Sequence, residues 1–101
     1  MTARHWKGVF RANDTERYLE HLQQELFPEL QTLAGYISAT ILQRETDSSV
    51  EFLVITYWES MDAIKQFAGD HPEVAVVPEH VQEMALSFDT EVQHYEVKYT
   101  S

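Results

Sequence analysis

Val50 to Ala68 reads VEFLVITYWESMDAIKQFA, and this stretch decides the fold. Its first nine residues form a strand that is apolar on both sides. Phe52, Val54 and Trp58 share one face with Thr56 between them, while Leu53, Ile55 and Tyr57 share the other. A strand with one wet face alternates apolar and polar residues, so a strand without that alternation expects both faces of its sheet to be covered. Helices of the same chain can cover one face. A chain of 101 residues has little left for the other, so a second copy is the economical cover. Ser60 then caps a helix that carries Asp62 in its first turn and buries Ile64, Phe67 and Ala68.

Working outward, ETDSS at 45–49 has hairpin-turn chemistry and joins this strand to one predicted over Tyr36–Arg44. Arg4–Ala12 reads as the first strand, with Trp6, Gly8 and Phe10 on one face. Gly8, which has no side chain, marks a place of close approach, most simply a tight packing contact. Asn13 and Glu16 have capping-box spacing for a first helix reaching Leu33. Its apolar stripe is Tyr18, Leu19, Leu22, Leu26, Phe27, Leu30 and Leu33, and Pro28 is expected to kink or divide it. Pro78 begins a third helix predicted over Glu79–Ser87, whose inner face is Val81, Met84, Ala85 and Phe88. The last strand is predicted over Glu91–Tyr99. There Val92, His94 and Glu96 alternate with Gln93, Tyr95 and Val97.

The order β-α-β-β-α-β predicts an α+β, ferredoxin-like domain over residues 1–101, with a four-stranded antiparallel sheet and helices on one face. The uncovered face then calls for a homodimer with its sheets packed together.

Charge narrows the partners. Seventeen acidic against seven basic residues give a net charge of −10, which repels nucleic acid and anionic membrane surfaces. Without cysteine there is neither a disulfide framework nor a thiol nucleophile. The N-terminus MTARHWKGVF has no signal-peptide core and no apolar run approaches bilayer length, so a cytoplasmic protein is expected. No HExxH, CxxC, phosphate-cradling glycine loop or GxSxG elbow occurs.

HWKGVF from His5, VEFLVITYWESMDAIKQFAGDHPEVAVVPEHV from Val50 and LSFDTEVQHYEV from Leu86 together resemble the antibiotic biosynthesis monooxygenase domain family of the dimeric α+β barrel superfamily. The likeness is one of overall pattern and covers nearly the whole chain. It implies a homodimer with a pocket in each subunit between sheet and helices. Some members oxygenate phenolic substrates without metal, flavin or haem. Others bind and degrade haem, and many have no established function.

The resemblance makes Trp58, at the end of the central strand, the first candidate for the pocket, joined by Trp6, Phe67 and Met84 as substrate contacts. Set against this, large aromatics on strands are usually core. His80, in PEHVQ, and His94, in QHYEV, are the candidate proton acceptors, since imidazole titrates near neutrality. The bland alternatives are an exposed helix histidine and an ordinary hydrogen bond on the sheet. Haem-degrading relatives also use an iron-ligating histidine near the position of His80, with His71 the next nearest. However, they carry an asparagine in the first strand where Trp6 or Gly8 stands here. Glu79, His80 and Glu83 have metal-ligand spacing, which solvated helices often show. The leading expectation is a cofactor-free monooxygenase using dioxygen on a small aromatic, phenol- or quinol-like substrate. The alternatives are a non-catalytic ligand-binding or stress-related dimer and, third, haem binding.

Overall fold

The computed structural model describes all 101 residues. Its elements are β1 (Thr2–Phe10), α1 (Thr15–His21), α2 (Phe27–Leu30), β2 (Tyr36–Glu45), β3 (Val50–Trp58), α3 (Met61–Ala68), α4 (Glu79–Met84), β4 (Ala85–Phe88) and β5 (Gln93–Glu96). The sheet runs β2-β3-β1-β4, and β5 also pairs with β1, all antiparallel. This is the ferredoxin-like order, with its fourth position filled by two short strands.

That division corrects two boundaries. The third helix stops at Met84 rather than Ser87, and Ala85–Phe88 turns into a strand. It pairs with Gly8–Phe10, whose backbone groups would otherwise form an unpaired edge. The final strand is shorter than predicted and pairs with Thr2–His5. Between the two, Asp89 takes over β1's free groups: its amide donates to the Lys7 carbonyl at 2.9 Å, and its carboxylate accepts from the Lys7 amide at 3.1 Å. The first strand also begins two residues earlier than predicted.

The first helix departs further. Asn13 is not its cap; it lies in a 3-10 turn over Ala12–Asp14. Asp14 leads the helix without a side-chain cap bond and pairs instead with Arg17 at 3.2 Å. After His21 the chain widens into a π-helical turn over Leu22–Leu26, with the Phe27 amide donating to the Leu22 carbonyl. Pro28 follows immediately at the start of α2. Lacking an N–H and crowding the carbonyl four residues back, proline cannot continue a regular α-turn. Ser60 caps α3 as predicted, its hydroxyl accepting from the Ala63 amide at 3.2 Å.

The helices cover the inner face of the sheet. Phe10, Tyr18, Leu22, Val50, Phe52, Val54, Val81 and Met84 make one core cluster; Leu30, Trp58, Ala63 and Ile64 make another. Gly8 sits under the Trp6 indole, where a Cβ would stand 2.5 Å from Trp6 Cη2, so the predicted close approach is a packing contact within the strand. Register sets His5 and Thr40 beside Ile55, and Lys7 and Leu42 beside Leu53, on the outer face. No helix covers that face, and Leu42 and Tyr95 are 48% and 55% exposed.

Candidate functional site

A half-enclosed cavity of about 310 Å³ lies between the inner face of the sheet, the α1–α2 helical run and the segment from Val76 to Val81. Leu22, Leu26, Leu30, Val54, Phe67, Val77, Val81 and Val92 give it apolar walls, and Trp6 and Tyr18 add aromatic rings. The Trp6 indole is fixed by donating from Nε1 to the Asp89 carbonyl at 2.9 Å. Such a volume is at the lower end for a small-molecule pocket.

Polar groups enter this wall in two places. Deep in the cavity, Arg4 is buried on β1. Its Nη1 donates to the Pro72 carbonyl at 2.5 Å, its Nη2 to the Val74 carbonyl at 3.2 Å, and Nη1 lies 3.0 Å from His94 Nε2. Its guanidinium stands 5.8 Å from the Phe67 ring centroid. No Asp or Glu pairs with it, and burial pulls its pKa down to about 10, which leaves it a cation at neutral pH. Thr56 lines the cavity beside it. The Thr56 Oγ1 accepts from Trp58 Nε1 at 2.9 Å and keeps its own O–H as a donor.

At the mouth stand His21, Glu25 and His80. His21 Nδ1 is 3.1 Å from Glu25 Oε2 and 3.1 Å from His80 Nε2. His21 is buried, with its side chain 8% exposed, whereas those of Glu25 and His80 are 63% and 50% exposed. Tyr18 stacks on His21, ring centroids 6.2 Å apart, and burial raises its phenol above the usual range. Tyr18 therefore stays neutral and cannot serve as a base. The cavity thus joins an aromatic wall, a fixed cation and a cluster of two histidines and a glutamate.

The sequence model for antibiotic biosynthesis monooxygenase matches residues 10–74, well over half of the chain. The chain belongs to the antibiotic biosynthesis monooxygenase family. Solved structures of this fold agree over almost the full length. A dimeric ferredoxin-like protein from an uncultured marine organism superposes with a TM-score of 0.68 at 14% identity, covering 99% of this chain and 91% of that one. A haem degrader from Mycobacterium tuberculosis, solved with two haems in its active site, gives 0.59 at 16%, covering 98% of each chain. A cofactor-independent oxygenase from Streptomyces nogalater gives 0.54 at 14%, covering 98% and 93%. At these identities the likeness is one of fold. No curated protein matches the sequence.

Within this antibiotic biosynthesis monooxygenase domain, the residues singled out from sequence divide. Trp6, Phe67 and His80 line the cavity. Trp58 does not: it is wholly buried one layer behind the wall, stacked on Phe67 at 6.2 Å and bonded to Thr56. A strand position facing the helices beneath α3 is covered before a ligand can reach it. Met84 likewise belongs to the core, buried at the end of α4. His94 lies on the inner face, but its ring is turned to Arg4 and does not line the cavity. Its pKa is lowered, mainly by burial and then by the Arg4 charge, with Glu73 opposing. His71 is exposed and pairs with Glu73 at 3.4 Å. Arg4 and His21 have no distinctive sequence motif. The one trace of each is a polar residue on an otherwise apolar face, Arg4 in step with Trp6 and Phe10, and His21 between Tyr18 and Leu22.

Proposed function

We propose that this chain is a small monooxygenase that oxidises a hydroxyaromatic substrate in the cavity with dioxygen, without a resident cofactor. The carrying observation is the meeting of an aromatic wall with an uncompensated buried cation and a histidine pair in one half-closed space. An electron-rich phenol or quinol is a poor electron donor until it loses a proton. His80, backed by His21 and Glu25, is positioned to accept that proton, and the fixed charge of Arg4 favours the phenolate. The anion then passes electrons to dioxygen. In the simplest case a ring methylene becomes a carbonyl: one oxygen atom enters the product, the other leaves as water, and the substrate supplies all the electrons. Apolar walls keep bulk water from the reacting pair. The outer sheet face, with Leu42, Leu53, Ile55 and Tyr57, is assigned to a second copy of the chain; a dimeric ferredoxin-like relative of the same fold supports a pair.

Dioxygen uptake with a panel of anthrone-like and quinol substrates tests this reading. Turnover that falls at least ~100-fold in His80→Ala, in line with removal of an acid–base group, is the expected result. No uptake across the panel, or uptake indifferent to His80→Ala and Arg4→Met, overturns it.

Haem has the exposed His80 in its favour, together with the haem-degrading relative. Against it, His80 Nε2 is turned toward His21, so iron ligation requires that imidazole to leave its partner.

A further inference from the structure

The mouth cluster has a geometry that a proton relay does not require. We propose that His21, Glu25 and His80 form a binding site for a divalent first-row transition-metal ion of the zinc class.

His21 Nδ1 is 3.1 Å from both Glu25 Oε2 and His80 Nε2, and the latter two atoms are 4.0 Å apart. Three points so spaced lie on a circle of radius about 2.0 Å, which is the length of a metal bond to imidazole nitrogen or carboxylate oxygen. An ion at the centre of that circle lies within bonding distance of all three atoms.

Within the cluster, one proton cannot serve both short contacts. Glu25 Oε2 is an acceptor, and each neutral imidazole nitrogen offers either one proton or one lone pair. Whichever nitrogen holds the proton, it can aim that proton well at only one of its two neighbours. The third edge, at 4.0 Å, is too long for any hydrogen bond. A cation satisfies three converging lone pairs at once.

The backbone makes the convergence. His21 immediately precedes the π-helical turn ahead of Pro28 and Glu25 lies within it, and such turns recur at functional sites. His21 is the rigid member, buried and stacked on Tyr18. His80 meets it edge-on from the start of α4, ring centroids 4.7 Å apart at 77°. Glu25 and His80 are each at least half exposed, so an ion held here keeps coordination positions open toward solvent and the cavity, as catalytic sites do. Two imidazoles and a carboxylate select zinc, cobalt, iron or copper over calcium and magnesium, which prefer all-oxygen sets. The net charge of −10 raises the local concentration of any cation. Metal binding does not depend on turnover in the cavity, but it uses the same three atoms, so only the metal-free chain can take a substrate proton on His80.

Titration of chelator-treated full-length protein with Co(II), followed by its visible absorption bands, tests the site. One equivalent binding at micromolar concentration, displaced by Zn(II), is expected. His80→Ala and Glu25→Gln each weaken it at least ~10-fold. Both positions are exposed, so these variants fold. His71→Ala, remote and exposed, leaves binding unchanged. Absence of saturable Co(II) binding, or binding that survives intact in both His80→Ala and Glu25→Gln, overturns the proposal.

Discussion

Arg4 and His94 face each other across the β1–β5 pairing, with Nη1 of the arginine 3.0 Å from Nε2 of the histidine. Because the guanidinium can only donate, Nε2 is the accepting nitrogen and the imidazole proton is assigned to Nδ1. The contact ties the last strand to the first. The same guanidinium ties both to the Pro72 and Val74 carbonyls.

Arg4 therefore fastens the segment before α4 to the sheet. Arg4→Met removes three donors to buried or half-buried acceptors and is expected to cost about 2 kcal/mol or more, at the scale of hydrogen bonds made by a charged group. Arg4→Lys rescues little, since one ammonium cannot span the three acceptors. Urea unfolding midpoints of the two variants measure this. Equal stability of Arg4→Met and wild type would show that the fastening has no energetic weight.

The neutrality of His94 gives stability a pH dependence of definite sign. Its folded-state pKa lies below the unfolded value of 6.5, and burial lowers that of His5 in the same direction. The unfolded chain then binds protons at a higher pH than the folded one. The stabilisation is complete above the unfolded pKa and is lost as pH falls through 6.5 toward the folded values. Melting temperature is expected to drop between about pH 7 and pH 5, and His94→Gln flattens part of that slope. A slope unchanged in His94→Gln assigns it elsewhere.

Gly8 holds its place because of Trp6. The ring atoms of Trp6 and Phe10 occupy the space a Cβ would need, the nearest at 2.5 Å and 2.9 Å. Gly8→Ala forces the indole aside and weakens its bond to the Asp89 carbonyl. The expected cost is about 1–3 kcal/mol, as for overpacking a tight site, together with a red shift in tryptophan emission. Trp58 is wholly buried, so the shift reports Trp6. Unaltered emission and stability would contradict this packing.

The outer sheet face supplies a fourth prediction. Leu53 sits at its centre, in register with Leu42 on β2 and Lys7 on β1. Leu53→Glu is expected to yield a folded single subunit where the wild type sediments as a pair at micromolar concentration, because the inner core is untouched. A wild-type chain that sediments alone removes the dimer.

Local pattern alone determined the doubly apolar β3, the turn at 45–49, the Ser60 cap and the element order. Each is set by residues adjacent in sequence: alternation, turn chemistry or a side chain reaching its own helix end. Tertiary structure decided the rest. Ala85–Phe88 has apolar spacing compatible with a helix and became a strand only because β1 had unpaired backbone groups beside it. Trp58 was legible as an inward residue, but whether it met a ligand or another layer depended on where α3 lay. His21 acquired its meaning from His80, 59 positions away, through a widened helical turn that no periodicity announces. A fold is written in short-range periodicity, whereas a site is made by long-range convergence, and only packing brings its parts within a bond length of one point.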